Sequence, residues 1–529
     1  MQRVSSTTLT AARVTMMQAK KAHSPPSPTD SLPSKKARTV ALKRDRKRVH
    51  NLQKAYQKQV LKHGDPPILF DILEMLGKPR VDEILARNEE FERVPPFGEE
   101  VVVKIDRLSS HGDGLALTPQ GDRLLVVPFA LPGEVVRVYP YASDRFVFKS
   151  RIVEILERNA SMRKESLVQC RYFGQCGGCQ YQMIPYEQQL ELKREVVRRA
   201  FMHYSKLDSS LVPEVLPTMP SPERMHYRTK LTPHFDLPAS LRRAYGKEVP
   251  AEPVDVAIGF DNPSTGRVMD IEECPIGTPV LNEAMKRERQ RVRESIRSFK
   301  NGATLLLRDS LKSFDSEESV AVTDHKATVY ERVGSTKFST PAGAFFQNNR
   351  SIIPLVMDYV RSQLPASDKP RYLVDTYCGS GLFALSLAPL FDKVAGVEIS
   401  ASSIECANEN ARQNHIFNAD FLAGEAENIF SKISFPRAQT TVVIDPPRRG
   451  CDQAFIDQLV ALRPRNIIYV SCNVHTQARD TGMLLRACPS YQIQSVRGFD
   501  FFPQTHHVES ICVMQDTEFT TAGDTQSLQ

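Results

Sequence analysis

From residue 371 onward the chain alternates short apolar runs with helical stretches, and the pattern predicts strands at 371–376, 393–398, 420–423, 440–445 and 466–471. Such alternation has one common solution, a mostly parallel sheet covered by helices on both faces, because each parallel pair needs a crossover that packs back on the sheet. Reactive and ligand-binding residues of these sheets gather beyond the carboxyl ends of the strands. That rule puts Glu398, Asp445 and Cys472 along one rim. Two further strands are expected at 492–498 and 508–514, joined by a short connection. A hairpin there makes the last strand antiparallel, and Glu509, at its start, returns to the same rim.

The first of these strands runs into Thr376-Tyr377-Cys378-Gly379-Ser380-Gly381. Two glycines let backbone approach a ligand closely, and Glu398, nineteen residues past Gly379, stands where an acid binds ribose hydroxyls. The third glycine of the dinucleotide fingerprint is replaced by Ala384 and no pyrophosphate cradle is evident, which favours S-adenosylmethionine over a nicotinamide cofactor. Asp445-Pro446-Pro447 forms a rigid turn that fixes a carboxylate beside cofactor and substrate.

Cys472 follows an apolar strand, and Glu509 lies 37 residues later. A soft thiolate that is also a good leaving group suits reversible addition to an electron-poor ring carbon, C6 of uracil being the best candidate. Addition makes C5 nucleophilic, and a carboxylate is the natural acceptor of the C5 proton after methylation. A cytosine-type site is disfavoured because Ser471, not proline, precedes Cys472. A nuclease would need a carboxylate-rich metal site, and Glu398 and Asp445 are better used by the cofactor.

Cys170, Cys176 and Cys179 are spaced as metal ligands, with Gly177-Gly178 between the last two. Cys274 is the nearest thiol that could serve as a fourth ligand. From spacing alone zinc and an iron–sulfur cluster stand equal, and reduced thiols without metal are the third possibility. No secretory signal accompanies the ten cysteines, so thiol chemistry is favoured over disulfides.

Residues 95–157 switch to period two, punctuated by Gly112-Asp113-Gly114, Gly121-Asp122 and Pro132-Gly133, and predict a small β-barrel of the OB-like size. The stretch 158–335 reads as a mixed α+β central domain, with a charged helix at 186–201. Residues 61–94 carry one or two short helices, and 516–529 form a polar tail.

Residues 1–60 read as a disordered basic tail. Twelve Lys or Arg against Asp30 and Asp45 give residues 1–49 a net +10, leaving the rest of the chain near −3 of the total +7. A nucleic-acid surface on the folded part is therefore a local patch rather than a global field. Three readings of the tail stand open: a nuclear-import signal around Lys35–Arg48, a non-specific RNA grip, or a mitochondrial presequence in the acid-free 1–29. Nucleus, cytoplasm and mitochondrion all follow from these. No apolar run approaches the ~18 residues of a membrane span, and no protein partner is evident, so a monomer is expected.

Gly343-Ala344-Phe345-Phe346-Gln347-Asn348-Asn349, Asp375-Thr376-Tyr377-Cys378-Gly379-Ser380-Gly381, Asp445-Pro446-Pro447-Arg448, Ser471-Cys472-Asn473 and His507-Val508-Glu509 together resemble the RNA 5-methyluridine methyltransferase family, in particular its eukaryotic tRNA (uracil-5-)-methyltransferase branch. The resemblance spans about 95–515. It implies a C-terminal S-adenosylmethionine-dependent methyltransferase domain over 336–515, an N-terminal barrel of the TRAM type, and cofactor binding by Gln347, Tyr377, Glu398 and Asp445. It also implies nucleophilic Cys472, basic Glu509, a [4Fe–4S] cluster on Cys170, Cys176, Cys179 and Cys274, and tRNA as substrate, methylated at C5 of T-loop uridine 54. Ribosomal RNA is the rival substrate, and an RNA-binding folding factor with dispensable methylation is the rival function. Tyr227-Arg228-Thr229-Lys230 resembles a family segment near bound RNA, for which a solvated strand face is the plain alternative. The chain departs from many relatives at Val474, where they carry proline, and from some at Ser380.

Overall fold

The computed structural model describes residues 35–63, 65–87, 89–91, 99–245, 255–365, 369–424, 430 and 432–519. The targeting readings of residues 1–34 lie outside them. Contacts divide the chain into 1–58 and 59–529. The described part of the first unit belongs to a helix, Lys35–His63. This corrects the expectation of a structureless tail to residue 60. The stretch has no Pro or Gly and is rich in Lys, Arg, Gln, Ala and Leu, all good helix formers.

In the second unit, two short helices, Ile68–Leu76 and Lys78–Ala86, precede a six-stranded sheet spanning Val101 to Glu157. Alternating inward residues, among them Val103, Ile105, Leu125, Val127, Val136 and Val138, give that sheet its own core.

The catalytic-type sheet has eight strands: β1 (Leu216–Met219), β2 (Tyr372–Thr376), β3 (Lys393–Glu398), β4 (Ala419–Ala423), β5 (Thr440–Ile444), β6 (Asn466–Ser471), β7 (Tyr491–Phe499) and β8 (Glu509–Asp516). Their order is β4-β3-β2-β5-β6-β8-β7-β1. Neighbours from β4 to β6 are parallel, and β8 is antiparallel to both β6 and β7. All residues of β5 and β6 are buried, as expected for strands covered on both faces.

Two boundaries differ from the sequence reading. The central sheet ends in a hairpin, Thr328–Val333 against Thr336–Pro341, with left-handed Gly334 in its turn, so a division between 335 and 336 falls inside a paired element. The segment 186–219, expected in the central domain, belongs to the C-terminal sheet. β1 adds in parallel to β7, and helix Tyr186–Tyr204 packs through Val197, Ala200 and Phe201 against Leu484 and Leu485 of helix Val474–Ala487. Gly482 makes that contact feasible, since a Cβ there would lie 1.8 Å from the Ser205 carbonyl oxygen. Such non-local pairing leaves no mark in the local pattern.

Candidate active site

The rim of the sheet is shaped by three turns. After β2, Tyr377, Gly379 and Gly381 all adopt positive φ, and Asp375 accepts a 2.8 Å hydrogen bond from the Ala384 amide, tying the turn to the helix that follows. Asp375 is fully buried, and its carboxyl is pushed up to about 8, first by burial and then by Asp445 and Glu398. The part Asp375 plays in tying the turn to the helix is visible only in the structure. Glu398, at the end of β3, accepts from the amides of Ser400 (2.9 Å) and Gly379 (3.3 Å). Its carboxylate is thus oriented before any ligand arrives.

The second turn, Asp445 to Cys451, is clamped from behind. Asp480 accepts from the Cys451 amide and the Tyr469 hydroxyl, each at 2.7 Å, and left-handed Gly450 has no room for a Cβ, which would meet the Asp480 carboxylate at 2.4 Å. The third turn carries Cys472. Asn473 caps helix Val474–Ala487 by accepting from the His475 amide, while its side-chain amide donates to the Arg448 carbonyl at 2.8 Å. Val474 is the first residue of this helix, where a backbone N–H has no intrahelical partner in any case. Either valine or proline therefore fits this position without loss of a helical hydrogen bond.

Gln347, Tyr377, Glu398, Asp445, Cys472 and Glu509 all line one cavity of about 600 Å³. Ser471 of β6 pairs with Ser510 of β8, which brings the turn bearing Cys472 to Glu509 at the start of β8. Burial is the largest influence on both. It pushes the Cys472 thiol up to about 11, with Glu509 and Asp445 adding to the rise and Arg448 opposing it. Glu509 is pushed up to about 8 by burial and Asp445, again opposed by Arg448, and burial raises Asp445 to about 7. Burial thus favours the protonated form of all three groups, and Arg448 opposes it at Cys472 and Glu509.

Cys472 and Arg448 also line a second cavity of about 320 Å³, whose walls include His111, Tyr204, His475, His506 and His507. Burial, ahead of neighbouring cations and imidazoles, holds His506 near 2, His475 near 3 and His507 near 4, so these rings are neutral. None was singled out in the sequence for its chemistry, because the histidines come from three distant segments.

Cys170, Cys176, Cys179 and Cys274 line a third cavity of about 280 Å³, and none is in a disulfide. Among the described residues, however, no group of three or more His, Cys, Asp or Glu is arranged to hold a metal ion. The four thiols grouped in the sequence line one cavity, but they do not close on an ion. Tyr227, in the segment that resembles one near bound RNA, is fully buried and donates to the Pro503 carbonyl, and Thr229 is buried too. That segment braces the loop after β7 instead of offering an aromatic face.

The family model for tRNA (uracil-5-)-methyltransferase matches residues 280–517, and that for the TRAM domain matches 97–139. A tRNA (uracil(54)-C(5))-methyltransferase of Schizosaccharomyces pombe is 45% identical over 479 residues, covering 88% of this chain and 86% of that protein. The chain belongs to the tRNA (uracil-5-)-methyltransferase family. A second family member, the tRNA (uracil(54)-C(5))-methyltransferase of Saccharomyces cerevisiae, is 38% identical over 467 residues, covering 78% of this chain and 73% of its own. The crystal structure of Pyrococcus abyssi tRNA (uracil-54, C5)-methyltransferase in complex with S-adenosyl-L-homocysteine shares the fold, with a TM-score of 0.56 at 22% identity over 78% of this chain and all of that one. The expected architecture, an α/β methyltransferase domain with an N-terminal TRAM domain, is the one this family has.

Proposed function

We propose that the protein transfers a methyl group from S-adenosylmethionine to C5 of a uridine in tRNA, namely uridine 54 of the T loop. The observation that carries the reading is the meeting of six residues from five rim segments and the Gln347 loop in one cavity, in a chain 45% identical to a relative named for that reaction. The cofactor fits the residues present: Glu398 is held by two amides for ribose hydroxyls, and Ile399, 71% exposed at the cavity wall, offers an apolar face to a flat ring. When bound, S-adenosylmethionine supplies a methyl group made electrophilic by its sulfonium.

The chain's own residues do the rest. The Cys472 thiolate adds to C6 of uracil, the C5–C6 double bond becomes an enolate, and C5 takes the methyl group. The Glu509 carboxylate then removes the C5 proton, the double bond re-forms, and the C6–S bond breaks to return the thiolate. A T-loop base is stacked inside a folded loop, so it must be extruded, at a cost of a few kcal/mol.

The same reading assigns the four-cysteine cavity to a [4Fe–4S] cluster. Such a cluster interposes its own irons and sulfides between the thiolates, so its ligands need not close on a single ion as those of zinc must. It takes no part in methyl transfer, which has no redox step. The deciding experiment is nucleoside mass spectrometry of tRNA and rRNA after incubation with labelled S-adenosylmethionine. Labelled 5-methyluridine at position 54 of tRNA is expected, and label confined to rRNA would overturn the substrate.

A further inference from the structure

The cavity on the far side of Cys472 has no part in the reaction as described, yet it is built as a binding site. One wall is His111, from a turn of the six-stranded sheet, and the other is formed by His506, His507 and His475. His506 and His507 rings lie 4.0 Å apart, His111 meets His506 edge-on at 5.5 Å, and Tyr204 meets His475 at 5.1 Å. The approach of the two walls is enforced. Gly112 has positive φ, and a Cβ on it would meet the Tyr181 ring at 2.8 Å and His506 Cβ at 3.1 Å. The His506 amide and ring are both oriented by the Gln180 side-chain oxygen, at 3.3 and 3.1 Å.

The chemistry of this lining points to one class of ligand. Neutral imidazoles offer flat faces with one donor and one acceptor each, which suits a nucleobase and not a phosphate. Arg448, exposed where the two cavities meet, supplies the cation that a backbone phosphate needs. The two cavities share only Cys472 and Arg448 as lining residues. For a uracil seated against Cys472 on the cofactor side, the histidine-lined space is the cavity that adjoins it across Cys472 and Arg448. On the reading that this chain acts on RNA, we propose that the cavity holds the base of a nucleotide immediately flanking the target uridine, stacked on His506 and enclosed by His111 and His475. Extruding the target then draws its neighbour into a second pocket, and the N-terminal sheet joins in selecting the sequence around it.

The test is a binding cycle on the full-length protein with a T-arm hairpin RNA, intact or with an abasic residue on the 5′ or 3′ side of the target. His506→Ala should weaken binding of intact RNA by about ten-fold, the scale of one base stacked on a ring. One of the two abasic RNAs should bind the wild type about as weakly, and on that RNA His506→Ala should cost nothing more. His506→Phe, which keeps a flat ring, should recover most of the loss, and S-adenosylmethionine affinity should be unchanged throughout as a check on folding. Losses that multiply independently for both abasic RNAs, or an Ala variant that binds intact RNA like the wild type, would overturn the proposal. Because the readout is affinity, a chain that binds in this coupled way but transfers no methyl would refute the proposed reaction and leave the pocket standing.

Discussion

Cys472 and Glu509 sit on either side of one paired rung: Ser471 and Ser510 pair in register across β6 and β8, Cys472 is the next residue in the turn that follows β6, and Glu509 is the first residue of β8. Backbone pairing of that rung thereby brings the turn that bears Cys472 to the start of β8. A one-residue slip of β8 would turn Glu509 to the opposite face.

Cys472→Ala should abolish methyl transfer, a loss of at least about 10³-fold if covalent addition is obligatory, while S-adenosylmethionine binding changes little, because the thiol meets the base and not the cofactor. Both can be measured on one preparation. Methylation at the wild-type rate would remove Cys472 from the role of nucleophile.

Glu509→Gln keeps the shape of the side chain but cannot accept the C5 proton as a carboxylate does. Addition and methyl transfer precede that step, so RNA joined to Cys472 at a methylated base should accumulate and survive denaturing electrophoresis. The adduct should vanish in the Cys472→Ala, Glu509→Gln double variant. Normal turnover of the Gln variant would show that another group removes the proton.

The upward shifts at the site give a sign to the pH dependence. Glu509 titrates near 8 and Cys472 near 11, both raised mainly by burial, so the reactive, deprotonated forms become more abundant as pH rises. The kcat/KM for methyl transfer should therefore climb between about pH 7 and 9. Arg448→Gln removes the cation that opposes both shifts and should displace the rising limb to higher pH. A pH–rate profile that stays in place would show that Arg448 does not tune these groups.

The loop that leads into β8 is tied down by a buried ion pair between Lys193 and Asp500, both fully inaccessible, with the Tyr186 hydroxyl also donating to Asp500 at 2.9 Å. Lys193→Met leaves a buried carboxylate without its cation and should cost about 3–5 kcal/mol. Lys193→Met combined with Asp500→Leu removes both charges and should recover part of the lost thermal stability. Equal melting temperatures for the single variant and the wild type would mean that the pair contributes nothing.

Anaerobically purified protein should carry about four irons and matching acid-labile sulfide per chain, and Cys176→Ser should remove them. Stoichiometric zinc without sulfide would assign the four-cysteine cavity to a single ion.

The sequence by itself determined the strands of the C-terminal sheet, the rim on which Glu398, Asp445 and Cys472 stand, and the return of Glu509 to it. These follow from local periodicity and from the rule that parallel strands present their carboxyl ends together. The close spacing of Cys170, Cys176 and Cys179 is legible without a fold, whereas Cys274 came only as the nearest remaining thiol and from the family resemblance. Only the tertiary structure decided which distant segments complete the sheet and the site. That β1 pairs with β7, that Lys193 neutralises Asp500, and that His111 closes on His506 depend on pairings across hundreds of residues. Tyr227 shows the converse: its segment suggested nearness to RNA or a solvated strand face, and its neighbours in space bury it. Burial is a property of the whole packed chain, and so are the raised pKa values of Cys472, Glu509 and Asp445 that follow from it.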